Sequence, residues 1–212
     1  MASLVDRRLY GIVDLGYVDS DVDAVVATTR ALLDGGIDLL QLRAKDTGAG
    51  VILALGRAML PLTRAAGVPL IINDHPEIAA AIDADGVHLG QDDGNLDDAR
   101  ATIGEGKIVG RSTHSPDQAR AARAEGADYI GFGPVFTTPT KPGRPAIGSA
   151  DIAAVHNELG ADFPIYCIGG IKRDNAADMI AAGARRLVIV SGILQADDMA
   201  GYIGDVKALL PN

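Results

Sequence analysis

The stretch "QLRAK" sets Gln41, Arg43 and Lys45 at alternate positions at the end of a short apolar run. In extended backbone, residues two apart project to the same side, so these polar side chains share a face. A planar guanidinium beside a compact ammonium suits phosphate oxygens. The same two cations would also serve as solvated charges at a strand end. Two further runs end in carboxylates, "IIND" with Asn73 and Asp74 and "LGQDD" with Asp92 and Asp93. Asp74 and Asp93, from sequential strands, suit Mg²⁺, a hard ion that takes one or two carboxylates and completes its shell with phosphate oxygens and water. Aspartate is also common in turns and caps, and Asp92 reads as the solvent-facing or capping neighbour.

A second anion site is suggested by "CIGGIKRDN", where Gly169 and Gly170 end a strand and lead into a helix whose first amides can hold a phosphate. Ser191 and Gly192 offer its other half, although the glycines could equally serve only a tight turn. The segment "GFGPVFTTPTKPGRPAIG" carries three threonines, a lysine and an arginine among four prolines and four glycines. It is long for a connection in an alternating α/β chain, which is usually about 2–6 residues, and so reads as a functional loop. His75 and His114 fall where a ligand could touch them, while His88 inside a strand and His156 in an outer helix read as structural. Cys167 reads as a small buried hydrophobe rather than a nucleophile. No metal–thiolate or Ser-His-Asp spacing is present.

These residues sit at the ends of eight short apolar runs: "LYGIVD", "DLLQLRA", "PLIIND", "GVHLG", "KIVGRST", "YIGFGPV", "PIYCIGGI" and "RLVIVSGI". Near-continuous apolar strands are expected when both sheet faces are covered. Alanine-rich stretches with helical spacing lie between them, opened by residues such as Ser115 and Asp174 and closed by Gly36, Gly126 and Gly183. Eight strands each followed by a helix specify an α/β chain of the (β/α)8 TIM barrel type, eight parallel strands with outer helices, over residues 1–212 as one domain. The alternative is an open Rossmann-like sheet, but no G-x-G-x-x-G follows the first strand. In a barrel the polar strand ends gather on one rim, where such folds carry their active sites.

Composition agrees. The chain is 48% apolar with no tryptophan, so aliphatic residues build the core. One cysteine permits no internal disulfide, and no charged-then-apolar leader or uninterrupted apolar span appears, so the expectation is a soluble cytoplasmic protein with no membrane partner. A formal charge of −9 argues against a nucleic-acid binder. Anionic small molecules must then be held by local cations. A homo-oligomer is compatible with the sequence.

Taken in order, "QLRAK", "IIND", "DGVHLGQDD", "GRSTHS", "GADYIGFGPVFTTPTK", "CIGGI" and "VIVSGI" resemble the motifs of the thiamine-phosphate synthase family over nearly the whole chain. That resemblance implies a (β/α)8 barrel enzyme joining a pyrimidine methyl diphosphate to a thiazole phosphate, with release of diphosphate. It further implies that Gln41, Arg43, Lys45 and Asn73 hold the pyrimidine diphosphate, that Asp74 and Asp93 ligate Mg²⁺, and that Ser112 and Lys141 also contact diphosphate. Thr138, Thr140, Gly170, Val190 and Ser191 match contacts to the thiazole phosphate. Arg43, Ser112 and Lys141 would carry catalysis, by stabilising charge on the leaving group. The sequence departs from the pattern at Ala44, where an acidic residue is usual, and at His75, in "RPAIG" and in the first strand. A thiazole tautomerase would not use the Asp74, Asp93 and Lys141 clamp. A sugar-phosphate isomerase would have no use for the threonine-lysine loop, and a non-catalytic precursor-binding barrel would not need a complete leaving-group site.

Overall fold

A computed structural model describes residues 3–138 and 145–211. Eight strands run through it: β1 (Leu9–Asp14), β2 (Leu39–Arg43), β3 (Leu70–Asn73), β4 (Gly86–Leu89), β5 (Ile108–Thr113), β6 (Tyr129–Phe132), β7 (Ile165–Cys167) and β8 (Leu187–Ile189). All pair in parallel, and β8 returns to β1 through Leu9↔Leu187 and Tyr10↔Val188, closing a barrel. Between them lie α1 (Val22–Asp34), α2 (Ala49–Ala65), α3 (Pro76–Ile82), α4 (Leu96–Ile103), α5 (Pro116–Ala124), α6 (Ile152–Leu159) and α7 (Ala176–Ala181). A short α8 (Ser191–Leu194) and then α9 (Met199–Leu209) follow the last strand. The expected (β/α)8 barrel is the fold observed.

Strand parity divides the core into two layers. Leu9, Val13, Leu40, Leu42, Leu70 and Ile72 pack outward in the large cluster beneath the helices. Tyr10, Ile12, Leu39, Ile71, Tyr129, Tyr166 and Val188 form a second cluster inside the barrel. Because side chains alternate with period 2, the inward set on each strand is fixed once one member is known. Gln41 and Arg43 therefore share the inner face with Leu39, and Ser112 shares it with Ile108.

The helices begin and end where local chemistry directs. Asp21, Asn95, Ser115 and Asp198 each accept a hydrogen bond from an amide of the first turn, at 2.7–3.2 Å. Gly36, Gly126 and Gly183 follow helices with φ of 86°, 86° and 102°, the left-handed exits that glycine permits. One start differs from expectation: α7 begins after Asn175, not Asp174. Asn175 is instead used by the preceding loop, where its side chain accepts from Lys172 N and donates to the Gly170 carbonyl.

At the N-terminal end of the barrel, Asp38, Asp85 and Asp128 each stand one residue before a strand. Their carboxylates accept amides at the starts of the neighbouring strands, those of Leu9, Leu70 and Val109, at 2.7–2.9 Å. This face is knitted for stability, leaving the opposite rim to present polar groups.

Candidate active site

At the C-terminal strand ends a cavity of about 860 Å³, its open mouth included, opens into the barrel. Gln41, Arg43, Asn73 and Ser112 line one side. Gly170, Val190 and Ser191 line another, and Thr138 reaches it from the loop after β6. Eight of the residues singled out in the sequence thus meet around one space, through strands distant in sequence. Lys45, Asp74 and Asp93 lie on the loops beyond β2, β3 and β4 and do not line this cavity. Thr140 and Lys141 lie outside the described residues.

Arg43 brings a guanidinium to the cavity wall, and it is paired with an aspartate that sequence reading did not single out. Arg43 Nη1 donates to Asp14 Oδ2 at 2.6 Å, with side-chain exposures of 13% and 2%. The register Asp14↔Arg43 at the ends of β1 and β2 makes the two neighbours. The other Asp14 oxygen accepts from Gly16 N at 3.0 Å, so the carboxylate is fixed from two sides. A charge-assisted bond in so dry a place holds the guanidinium in one orientation. Arg43 and Lys45 also face a second, polar recess with Asp14, Asp19 and Thr47.

Lys45 Nζ meets Asp74 Oδ2 at 2.8 Å. Asp74 has φ of 61°, a left-handed conformation in which a non-glycine residue is strained, and its amide donates to the His88 carbonyl at 2.9 Å. Asp93 Oδ2 accepts from Gly90 N at 2.9 Å, closing a turn after β4. That turn is tethered to β5: Arg111 Nη1 donates to the Gly94 carbonyl at 2.7 Å and Gln91 Nε2 to the Ser112 carbonyl at 2.6 Å. Asp92 is exposed, as expected. Among the described residues no group of three or more His, Cys, Asp or Glu side chains is placed to hold a metal ion by itself. Two carboxylates fit a hard divalent ion that takes its remaining oxygens from substrate and water, not one held in an all-protein cage.

The glycine turn after β7 is built on left-handed backbone. Gly169 and Gly170 have φ of 101° and 66°. A Cβ at Gly170 would stand 2.6 Å from Phe136 Cβ, so only glycine fits where the two loops approach. Ser191 and Gly192 are the first residues of α8, with amides that have no intrahelical acceptor. Tyr202 of α9 braces both halves: its hydroxyl accepts from Arg173 N at 2.6 Å, and a Cβ at Gly192 would lie 2.6 Å from the same oxygen.

The histidines sort differently from the sequence reading. His114 lines the cavity, with Nδ1 hydrogen-bonded to the Gly133 carbonyl, whereas His75 turns to Glu77 at 3.0 Å and does not line it. His88, read as purely structural, has both ring nitrogens engaged, by Tyr129 Oη and Ser112 Oγ at 3.0 Å each, yet also lines the cavity. The signal available in sequence was parity, since His88 is two residues from Gly86 and faces inward. His156 is 3% exposed in α6 and takes no part in the site. Cys167 is fully buried, and burial pushes its thiol up to about 12, so it is inert. Ala44, 7% exposed, packs outward in the helix-facing core.

A closed parallel barrel with a cavity at its C-terminal strand ends, lined by apolar side chains and a few polar ones, defines an enzyme-type (β/α)8 barrel. A family model described as thiamine monophosphate synthase matches residues 9–193, and the chain belongs to that family. A thiamine-phosphate synthase of Thermus thermophilus is 49% identical over 177 residues, 84% of each chain. That of Chloroflexus aurantiacus is 40% identical over 211 residues, covering 99% of this chain and 95% of the other. Among solved structures, a thiamine phosphate pyrophosphorylase from Pyrococcus furiosus superposes with a TM-score of 0.83 at 28% identity, over 96% of this chain and 95% of that one.

Proposed function

We infer that this chain is a thiamine-phosphate synthase. It is a transferase that joins 4-amino-2-methyl-5-hydroxymethylpyrimidine diphosphate to a thiazole phosphate, releasing diphosphate and giving thiamine phosphate; from a carboxylated thiazole, CO2 would leave as well. The observation that carries this reading is that one cavity is lined by two halves. One half is built around Arg43, Asn73 and Ser112, and the other around Gly170, Val190 and Ser191. Each half would take one of the two phosphorylated substrates.

The carbon–oxygen bond between the pyrimidine methylene and diphosphate breaks with its electron pair going to the leaving oxygen. The thiazole nitrogen lone pair then forms the new carbon–nitrogen bond. Negative charge grows on the diphosphate, and stabilisation aimed at that charge lowers the barrier most. Arg43, pre-aimed by Asp14, would donate to it, with Ser112 as a further donor and Lys45 and Lys141 as neighbouring cations. Asp74 and Asp93 would hold Mg²⁺, which would neutralise the diphosphate oxygens. Gln41 would orient the pyrimidine, while Thr138 and Thr140 would contact the thiazole and Gly170, Val190 and Ser191 its phosphate. Ile12, Ile168 and Val188 also line the cavity and would help keep water from the reacting carbon. No protein nucleophile is needed. Among the described residues no helix is long and apolar enough to cross a membrane; the location proposed from the sequence is cytoplasmic.

The test supplies both substrates with Mg²⁺ and follows diphosphate and thiamine phosphate together, then repeats with a chelator. Equal, magnesium-dependent appearance of the two products is expected. Isomerisation or mere binding of the thiazole phosphate, with no diphosphate released, would replace this reading with a tautomerase or a precursor-binding barrel.

A further inference from the structure

Across the floor of the cavity, five side chains from five strands form one continuous hydrogen-bonded row. Gln41 Nε2 stands 2.6 Å from Tyr10 Oη. Tyr10 Oη lies 2.9 Å from Tyr129 Oη, and Tyr129 Oη 3.0 Å from His88 Nδ1. His88 Nε2 completes the row at 3.0 Å from Ser112 Oγ. The two phenols are 2% and 0% exposed, so each must satisfy its hydroxyl within the protein.

Donor counting gives the row a direction. With the Gln41 amide nitrogen turned to Tyr10, that nitrogen can only donate, so Tyr10 accepts and sends its single proton to its other neighbour, Tyr129; the flipped amide would reverse the row. Tyr129, having accepted, must send its own proton to His88 Nδ1. That nitrogen therefore presents a lone pair, and the imidazole proton sits on Nε2 and goes to Ser112 Oγ. The serine oxygen accepts, which turns its own proton away from His88. A protonated Nδ1 would leave a buried phenolic hydrogen without its acceptor, which is unfavourable. Burial pushes both phenols well above their ordinary 10, so neither gives up its proton.

We infer that Tyr10, Tyr129 and His88 form a one-way relay that fixes His88 as the neutral Nε2–H tautomer and makes Ser112 a hydrogen-bond donor to the cavity. Tyr129 and His88 are thus positioning residues for Ser112. The relay is built in sterically as well. The His88 and Tyr129 rings stack at 5.4 Å, and Tyr129 meets Tyr10 and Tyr166 edge to face at 5.8 and 5.6 Å. Gly110 makes room for it: a Cβ there would lie 2.2 Å from Tyr129 Cζ. The consequence for turnover rests on the reading of Ser112 as a contact to diphosphate, because an oxyanion needs a donor and a serine bonded the other way would offer only lone pairs.

The test joins a spectroscopic and a kinetic readout. In wild-type protein labelled with ¹⁵N-histidine, the His88 signals, assigned by their loss in His88→Gln, should show a protonated Nε2 and an unprotonated Nδ1. Tyr129→Phe should lose that fixed tautomer and lower kcat/KM for the pyrimidine diphosphate about tenfold, with KM for the thiazole phosphate unchanged. His88→Gln, whose amide nitrogen can still donate to Ser112, should retain more activity than His88→Ala. A wild-type proton on Nδ1 would overturn the relay, as would a Tyr129→Phe protein with unaltered His88 signals and kinetics. Absence of thiamine phosphate from the wild type would sink the proposed function instead, and the tautomer would still decide the relay.

Discussion

Asp14→Asn isolates how far the site depends on a pre-aimed guanidinium. The substitution keeps volume and the acceptor for Gly16 N but removes the charge facing Arg43 at 2.6 Å. Breaking one side of a buried ion pair costs about 3–5 kcal/mol, because the remaining charge is left uncompensated. Arg43 is 13% exposed along the cavity and regains some hydration, which brings the cost to about 3 kcal/mol. In a domain of this size that lowers Tm by about 6–12 °C. A guanidinium free to turn also loses an aimed charge-assisted bond to diphosphate, worth about 1.5–3 kcal/mol, or roughly a 10- to 100-fold fall in kcat/KM. Thermal denaturation and steady-state release of diphosphate read the two effects separately. The double variant with Arg43→Met should be more stable than Asp14→Asn alone, because the orphaned charge is gone. A Tm within about 1 °C of wild type, with unchanged kcat/KM, would refute the argument that Asp14 positions Arg43.

Other substitutions probe the remaining parts. Gly170→Ala forces a left-handed alanine at φ 66° against Phe136 and should cost about 2 kcal/mol, raising KM for the thiazole phosphate and sparing that for the pyrimidine diphosphate. Equal effects on both KM values would remove the second anion site from that loop. Asp93→Ala, on an exposed turn, should abolish magnesium-dependent turnover while circular dichroism and melting stay unchanged; undiminished turnover would sink the carboxylate's proposed role. Lys141→Ala should slow product formation in a single turnover, and wild-type single-turnover rates would count against its leaving-group contact. His156 is lowered from its ordinary 6.5 to about 4, first by burial and then by the charges of Arg185 and Arg186. The folded state therefore holds it neutral, and its contribution is complete above pH 6.5 and lost as pH falls towards 4, where the unfolded chain takes up the proton first. His156→Gln should flatten the fall in Tm across that window, and an unchanged pH profile would show that other groups cause it.

What the sequence determined by itself was local and periodic. Eight apolar runs became eight strands, because a strand buried on both faces needs little else to declare it, and Ser115, Gly36, Gly126 and Gly183 acted at helix ends as their types require. Positions such as Gln41 and Arg43 could be assigned to one face from the two-residue repeat alone. Pairings made by barrel closure were not legible. Asp14 and Arg43 stand 29 residues apart in the chain and meet through the β1–β2 register. Tyr10 and Tyr129 stand 119 apart and meet across the barrel interior. Parity turned His88 inward, but its ring partners Tyr129 and Ser112 come from later strands and meet it only once the barrel has closed. Even the start of α7 was set by the glycine turn, which takes the Asn175 side chain for its own carbonyl and amide. Backbone geometry repeats along the chain and can be read in one dimension, whereas a hydrogen-bond partner across the barrel exists only once the eight strands have closed.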